Sequence, residues 1–168
     1  MTCYDEFPVS TVIYSLSAAA GVMALGATVS VQFGLWVLIG YVLLLLVAVV
    51  GILATACARC ESYYGRRCGL GLGKIVSVFF KQKQTDLYLL TPMQFVYIGL
   101  LLVGLVWPVV GGVVLLVQGS SAWRPVQLAA AAVLLLAFGV LHPKLVCSHC
   151  RQGECGACPV GHRMQKRA

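Results

Sequence analysis

Eight cysteines carry the chemistry that this chain could do. Cys57, Cys60 and Cys68 form one set, and Cys147, Cys150, Cys155 and Cys158 a second, while Cys3 stands apart from both. A Cys-x-x-Cys turn aims two sulfurs at one point, and two further thiolates complete a tetrahedron around Zn²⁺. Iron–sulfur clusters also take four cysteines. The second set is a complete four-thiolate set by itself. The first has Gly65 where the second has Cys155, so its fourth ligand could be Cys3, His149, water or a substrate.

Zinc and an iron–sulfur cluster are evenly matched on spacing. Four residues between the two Cys-x-x-Cys pairs of the second set is shorter than the common zinc patterns. Neither does the set have ferredoxin spacing, although Cys158-Pro159 is shared with the end of that motif. Arg59, Arg66, Arg67 and Arg151 would offset the negative charge of either centre. The main chemical rival is a pair of redox dithiols at Cys57/Cys60 and Cys147/Cys150. That reading leaves Cys68 and Cys158 without a role. Palmitoylation of cysteines beside a membrane needs no fixed spacing and does not account for the pattern.

The pattern is a repeat. Cys57, Cys60 and Cys68 recur as Cys147, Cys150 and Cys158 at a constant offset of 90 residues. The same offset pairs Gly21 with Gly111, Ser30 with Ser120, Gly71 with Gly161 and Phe33 with Trp123. Rare residues in register are stronger evidence of duplication than matching leucines. The chain thus divides into a first repeat over 1–86 and a second over 87–168.

The elements that must position these cysteines are membrane helices. Of the 168 residues, 60% are hydrophobic and only 10% charged, with a mean hydropathy of +0.92. Soluble domains carry about 25% charged residues, so an ordinary globule and a disordered tail are both excluded. Between Glu6 and Arg59 there is no charge at all. A span of ~20 helical residues crosses a hydrocarbon core of ~30 Å, so this stretch holds two crossings. The reading places helices at about 9–30 and 35–56, with the turn at Ser30–Gly34, where Gln32 and Gly34 interrupt the apolar run. The segment from Gln118 to Pro125 separates two more, at about 95–117 and 126–146. The fold class expected is therefore all-α: a polytopic membrane protein of four spans in two tandem parallel-repeat hairpins, with cysteine knuckles over 57–68 and 147–158. The beginning of the chain is acidic and lacks the basic region of a cleavable signal, so the first helix is expected to act as its own insertion signal.

Orientation follows from the basic residues. Of the twelve Lys and Arg, only Arg124 falls in a loop on the face away from the cysteines. By the positive-inside rule the cysteine face and both termini are cytoplasmic, in the plasma or inner membrane. Phe33, Trp36 and Trp123 then form an outer aromatic belt. All eight cysteines share a reducing compartment, where disulfides are rare and thiolates more often hold metal.

Other features carry less chemistry. Gly69-Leu-Gly-Leu-Gly73-Lys74 lacks the Gly-Lys-Ser/Thr ending of a phosphate loop. Leu72, Ile75, Val76, Phe79 and Phe80 fall at helical spacing, which predicts an amphipathic helix over about 72–83 at the interface, its lysines toward anionic headgroups. The spans hold no acidic residue, which disfavours a pump or coupled transporter. His142 is expected as a helix-end residue near the last carbonyls, and Trp107-Pro108 as a kink in the third span. Ala20, Ala24 and Thr28, with Gly111, Gly112 and Ala129–Ala132, offer small faces for close helix approach, within the bundle or between protomers.

These observations favour a membrane protein that binds zinc or an iron–sulfur cluster, as an accessory or electron-relay subunit of a membrane complex. A zinc-stapled docking scaffold and a membrane thiol–disulfide oxidoreductase are the alternatives. The partners implied are the lipid bilayer and a membrane or cytoplasmic protein; nucleic acid is not among them.

Overall fold

The structure, a computed structural model, describes residues 7–59, 73–81, 92–119 and 123–146. These residues form α1 (Val9–Phe33), α2 (Leu35–Thr55), a single 3₁₀ turn (Cys57–Arg59), the short α3 (Gly73–Phe79), α4 (Pro92–Gln118) and α5 (Trp123–Leu145). The helices α1, α2, α4 and α5 are each long and apolar enough to cross a bilayer, the mark of a multi-pass membrane protein. Their outward faces carry residues such as Ile13, Leu43, Val103 and Leu136, which are exposed in the isolated chain and suit lipid as solvent.

The four long helices run alternately up and down. Ser15 of α1 meets His142 of α5, and Gln32 meets Gln127, so these two helices are antiparallel. Tyr41 and Thr55 of α2 meet Gly104 and Gln94 of α4 in the same sense. The helices α1 and α4 lie against each other along the centre of the bundle, while α2 and α5 each pack on both of them. Exchanging α1 with α4 and α2 with α5 therefore maps this set of neighbours onto itself.

Without a hydrophobic force between helices in lipid, close packing and interhelical hydrogen bonds hold such a bundle. The inward stripe of α1 is Ser15, Ala18, Val22, Gly26, Val29 and Ser30. A Cβ at Gly26 would overlap the Tyr41 hydroxyl, and one at Gly51 would overlap the Tyr97 ring. Gly111 and Gly112 lie against Val29 and Leu128. Ala20, Ala24 and Thr28, expected as a close-packing face, instead look outward. The polar Ser15 and Ser30 and the Gly26 contact decide which side of α1 turns inward.

The turn between α1 and α2 is shorter than the expected Ser30–Gly34. The helix runs through Ser30 and Gln32 to Phe33, and Gly34 alone makes the connection at φ 116°. Ser30 donates to the Gly26 carbonyl at 2.7 Å and accepts from the Trp107 indole at 2.9 Å, so it is satisfied inside the bundle. Gln32 is likewise used between helices, donating to Gln127 at 3.0 Å. Phe33, assigned to the outer belt, packs inward against Trp107 with ring centroids 5.7 Å apart. Trp36 and Trp123 are exposed.

The later helices begin earlier than expected. Pro92 opens α4, where its missing N–H costs nothing. α5 opens at Trp123, which places Arg124 in a helix and not in a loop. The Arg124 guanidinium donates to the carbonyls of Leu115, at 2.7 Å, and Gly119. It thereby caps the C-terminus of α4, where carbonyls lack helical donors and a cation is favoured. α4 continues past Pro108, and α5 through Pro143 to Leu145.

Candidate functional site

The candidate site is the end of the bundle at which α2 and α5 finish. α2 ends at Thr55 and α5 at Leu145, again 90 residues apart. In each case a cysteine pair begins two residues beyond the last helical residue, at Cys57 and at Cys147. Because α2 and α5 run the same way, both helices finish on the same face of the molecule.

Cys57 opens the 3₁₀ turn that follows Ala56, whose N–H still bonds the Ile52 carbonyl at 2.8 Å. The turn is packed, not loose. Ala58 is fully buried in an apolar cluster with Leu53 and Val76, and Cys57, Val49 and Phe80 pack against its edges. Val76 comes from α3, which thus lies across the end of α2. The expected helix over 72–83 is present as Gly73–Phe79, closed by a bond from the Phe80 N–H to the Val76 carbonyl at 2.8 Å.

A residue that the sequence did not single out sets this end of the bundle. Gln94, in the first turn of α4, is buried and donates from Nε2 to the Thr55 carbonyl at 2.9 Å. It supplies one of the donors that the last carbonyls of α2 lack. Thr55 also bonds back to Gly51 at 2.6 Å, so the residue two positions before Cys57 is held from both sides. A glutamine at the start of an apolar span was the available signal.

On the α5 side, His142 is tied across the bundle rather than only to its own helix end. Its Nδ1 lies 3.1 Å from the Ser15 hydroxyl, and its ring stacks on Phe138 at 4.9 Å. Its carbonyl accepts from the buried Val146, the residue before Cys147. The Tyr14 hydroxyl donates to the Ala137 carbonyl at 3.0 Å, fixing α1 against the preceding turn of α5. Both helix ends that lead into cysteine pairs are therefore anchored by polar side chains from a neighbouring helix.

Cys57 is the one candidate ligand among the described residues. Cys3, Cys60, Cys68, Cys147, Cys150, Cys155 and Cys158 lie outside them, as does the glycine-rich segment 69–72. Among the described residues no group of three or more His, Cys, Asp or Glu side chains is placed to hold a metal ion. Comparison with protein-family models, with curated proteins and with solved structures finds no match to this chain.

Proposed function

We propose that the protein binds zinc or an iron–sulfur cluster through cysteines gathered at one membrane face, and serves a larger membrane complex as an accessory or electron-relay subunit. The observation that carries this reading is the common finish of α2 and α5. Two helices that end in register, 90 residues apart and on one face, each lead into a Cys-x-x-Cys pair after two residues. The ligands in this reading are Cys57, Cys60 and Cys68 for one centre, with Cys3 as a further candidate. Cys147, Cys150, Cys155 and Cys158 form the other. The symmetric set of helix neighbours supports a duplicated hairpin with its axis along the membrane normal. The distribution of Lys and Arg supports a cytoplasmic cysteine face.

A centre at this position would sit at the headgroup boundary, where one side meets aqueous partners and the other the hydrophobic phase. That suits a relay passing single electrons between a soluble donor and a membrane-bound acceptor. Thiol–disulfide exchange is less well served, because an attacking thiol needs access and Cys57 is partly buried against the Leu53, Ala58 and Val76 cluster.

Anaerobic purification in mild detergent tests the proposal, with zinc, iron and acid-labile sulfide quantified and the visible spectrum recorded. Iron with sulfide in a brown protein supports the relay. One or two zinc ions per colourless chain retain metal binding and favour the docking role. A metal-free protein whose thiols titrate as redox pairs overturns the proposal in favour of the oxidoreductase.

A further inference from the structure

We infer that α3 is an anchor for anionic lipid, which enters the bilayer surface through Val78 and Phe79 and holds acidic headgroups with the lysines around it. This inference does not rest on metal binding. Its basis is the depth and rotation at which α3 is fixed. α2 has 21 residues, about 31 Å of helix, which matches a hydrocarbon core of ~30 Å. Its end at Thr55 therefore marks the hydrocarbon boundary, and the 3₁₀ turn that follows lies at headgroup depth.

α3 is bound to that turn by Val76, which is fully buried against Ala58 and Leu53. Val76 is held in this cluster, whereas Val78 and Phe79 lie outside it and are 77% and 74% exposed. Two large apolar side chains held at this depth meet lipid rather than bulk water. Lys74 lies in α3, Lys81 just beyond it is exposed, and Lys83 follows two residues later. No acidic residue occurs between Lys74 and Lys83. Apolar groups at the acyl boundary, with lysines and no acidic residue in the same stretch of sequence, complement an anionic headgroup.

The test uses the full chain in nanodiscs of phosphatidylcholine containing a minor fraction of phosphatidylglycerol. A photo-crosslinker, p-benzoylphenylalanine, replaces Phe79, with the same probe at the lipid-facing Leu43 as reference. Adducts are identified by mass spectrometry. The expected result is lipid adducts at position 79 with phosphatidylglycerol enriched about fivefold over position 43 for each lysine that engages it, since one lysine near the surface contributes ~1 kcal/mol. Lys74→Glu, Lys81→Glu and Lys83→Glu together should abolish the enrichment while leaving position 43 unchanged. Adducts at 79 that mirror bulk composition, or that form only with protein in native membranes, overturn the inference. Hydrogen exchange of 73–81 in the unsubstituted chain gives a second measurement. Exchange must slow when phosphatidylglycerol is added, and equal rates in the two lipids overturn it.

Discussion

The hydroxyl of Tyr41 lies 3.3 Å from the carbonyl oxygen of Gly104. That carbonyl is four residues before Pro108, so it is the one whose helical donor the proline removes. Tyr41 replaces the missing N–H from a neighbouring helix, and its phenol also reaches the Met23 carbonyl at 3.3 Å. One side chain thereby joins α1, α2 and α4 and satisfies a backbone group that lipid could not.

A double-mutant cycle tests this relationship. Tyr41→Phe should lower stability in detergent by about 1 kcal/mol, in the range of interhelical hydrogen bonds in membranes. Pro108→Ala restores an N–H for the Gly104 carbonyl. In that background the cost of Tyr41→Phe should fall, giving a measurable coupling between the two sites. Purely additive losses would mean that the Tyr41 hydroxyl does not serve the Gly104 carbonyl and acts through the Met23 carbonyl or its packing on Gly26.

Gln94→Leu keeps the approximate size of the side chain but removes the donor to Thr55. Hydrogen exchange over residues 55–59 should quicken, because the end of α2 loses its tie to α4. Metal bound at the proposed Cys57 centre should then dissociate faster than in the parent protein. Unchanged exchange at 55–59 would show that the apolar cluster of Leu53, Ala58 and Val76 suffices to hold the turn.

Arg124→Leu should fray the last turn of α4 and cost about 2 kcal/mol, the scale of hydrogen bonds made by a charged group. Faster exchange confined to residues 115–119 is the specific sign. Arg124→Lys should recover only part of the loss, since an ammonium lacks the planar fork that reaches both Leu115 and Gly119.

Cys57→Ser and Cys147→Ser should each remove about half of the bound metal, as measured by mass spectrometry on purified protein. Loss of all metal from either single change would mean that the two halves share one centre.

The four spans were legible because charge is nearly absent from them, a constraint imposed by lipid and readable without any partner. Their ends were less so. Ser30 and Gln32 look like turn residues, and only the positions of Trp107 and Gln127 explain why they stay helical. Phe33 resembles a belt residue until Trp107 is seen beside it. Ala20, Ala24 and Thr28 had the right spacing for close contact but face away from the other helices of the bundle. In an all-apolar helix hydrophobic periodicity is silent about rotation, so the choice falls to a few polar atoms and their distant partners. At the candidate site the register of cysteines pointed to a shared face. The support beneath it, from Gln94 and Ser15, depends on contacts between residues 39 and 127 positions apart.

Gly34 has a consequence for how the chain is made. A one-residue connection leaves no loop for the translocation machinery to export separately, so α1 and α2 must enter the membrane together as a hairpin. Lengthening that connection would convert concerted insertion into two sequential events, and would give proteases their first foothold at that tip.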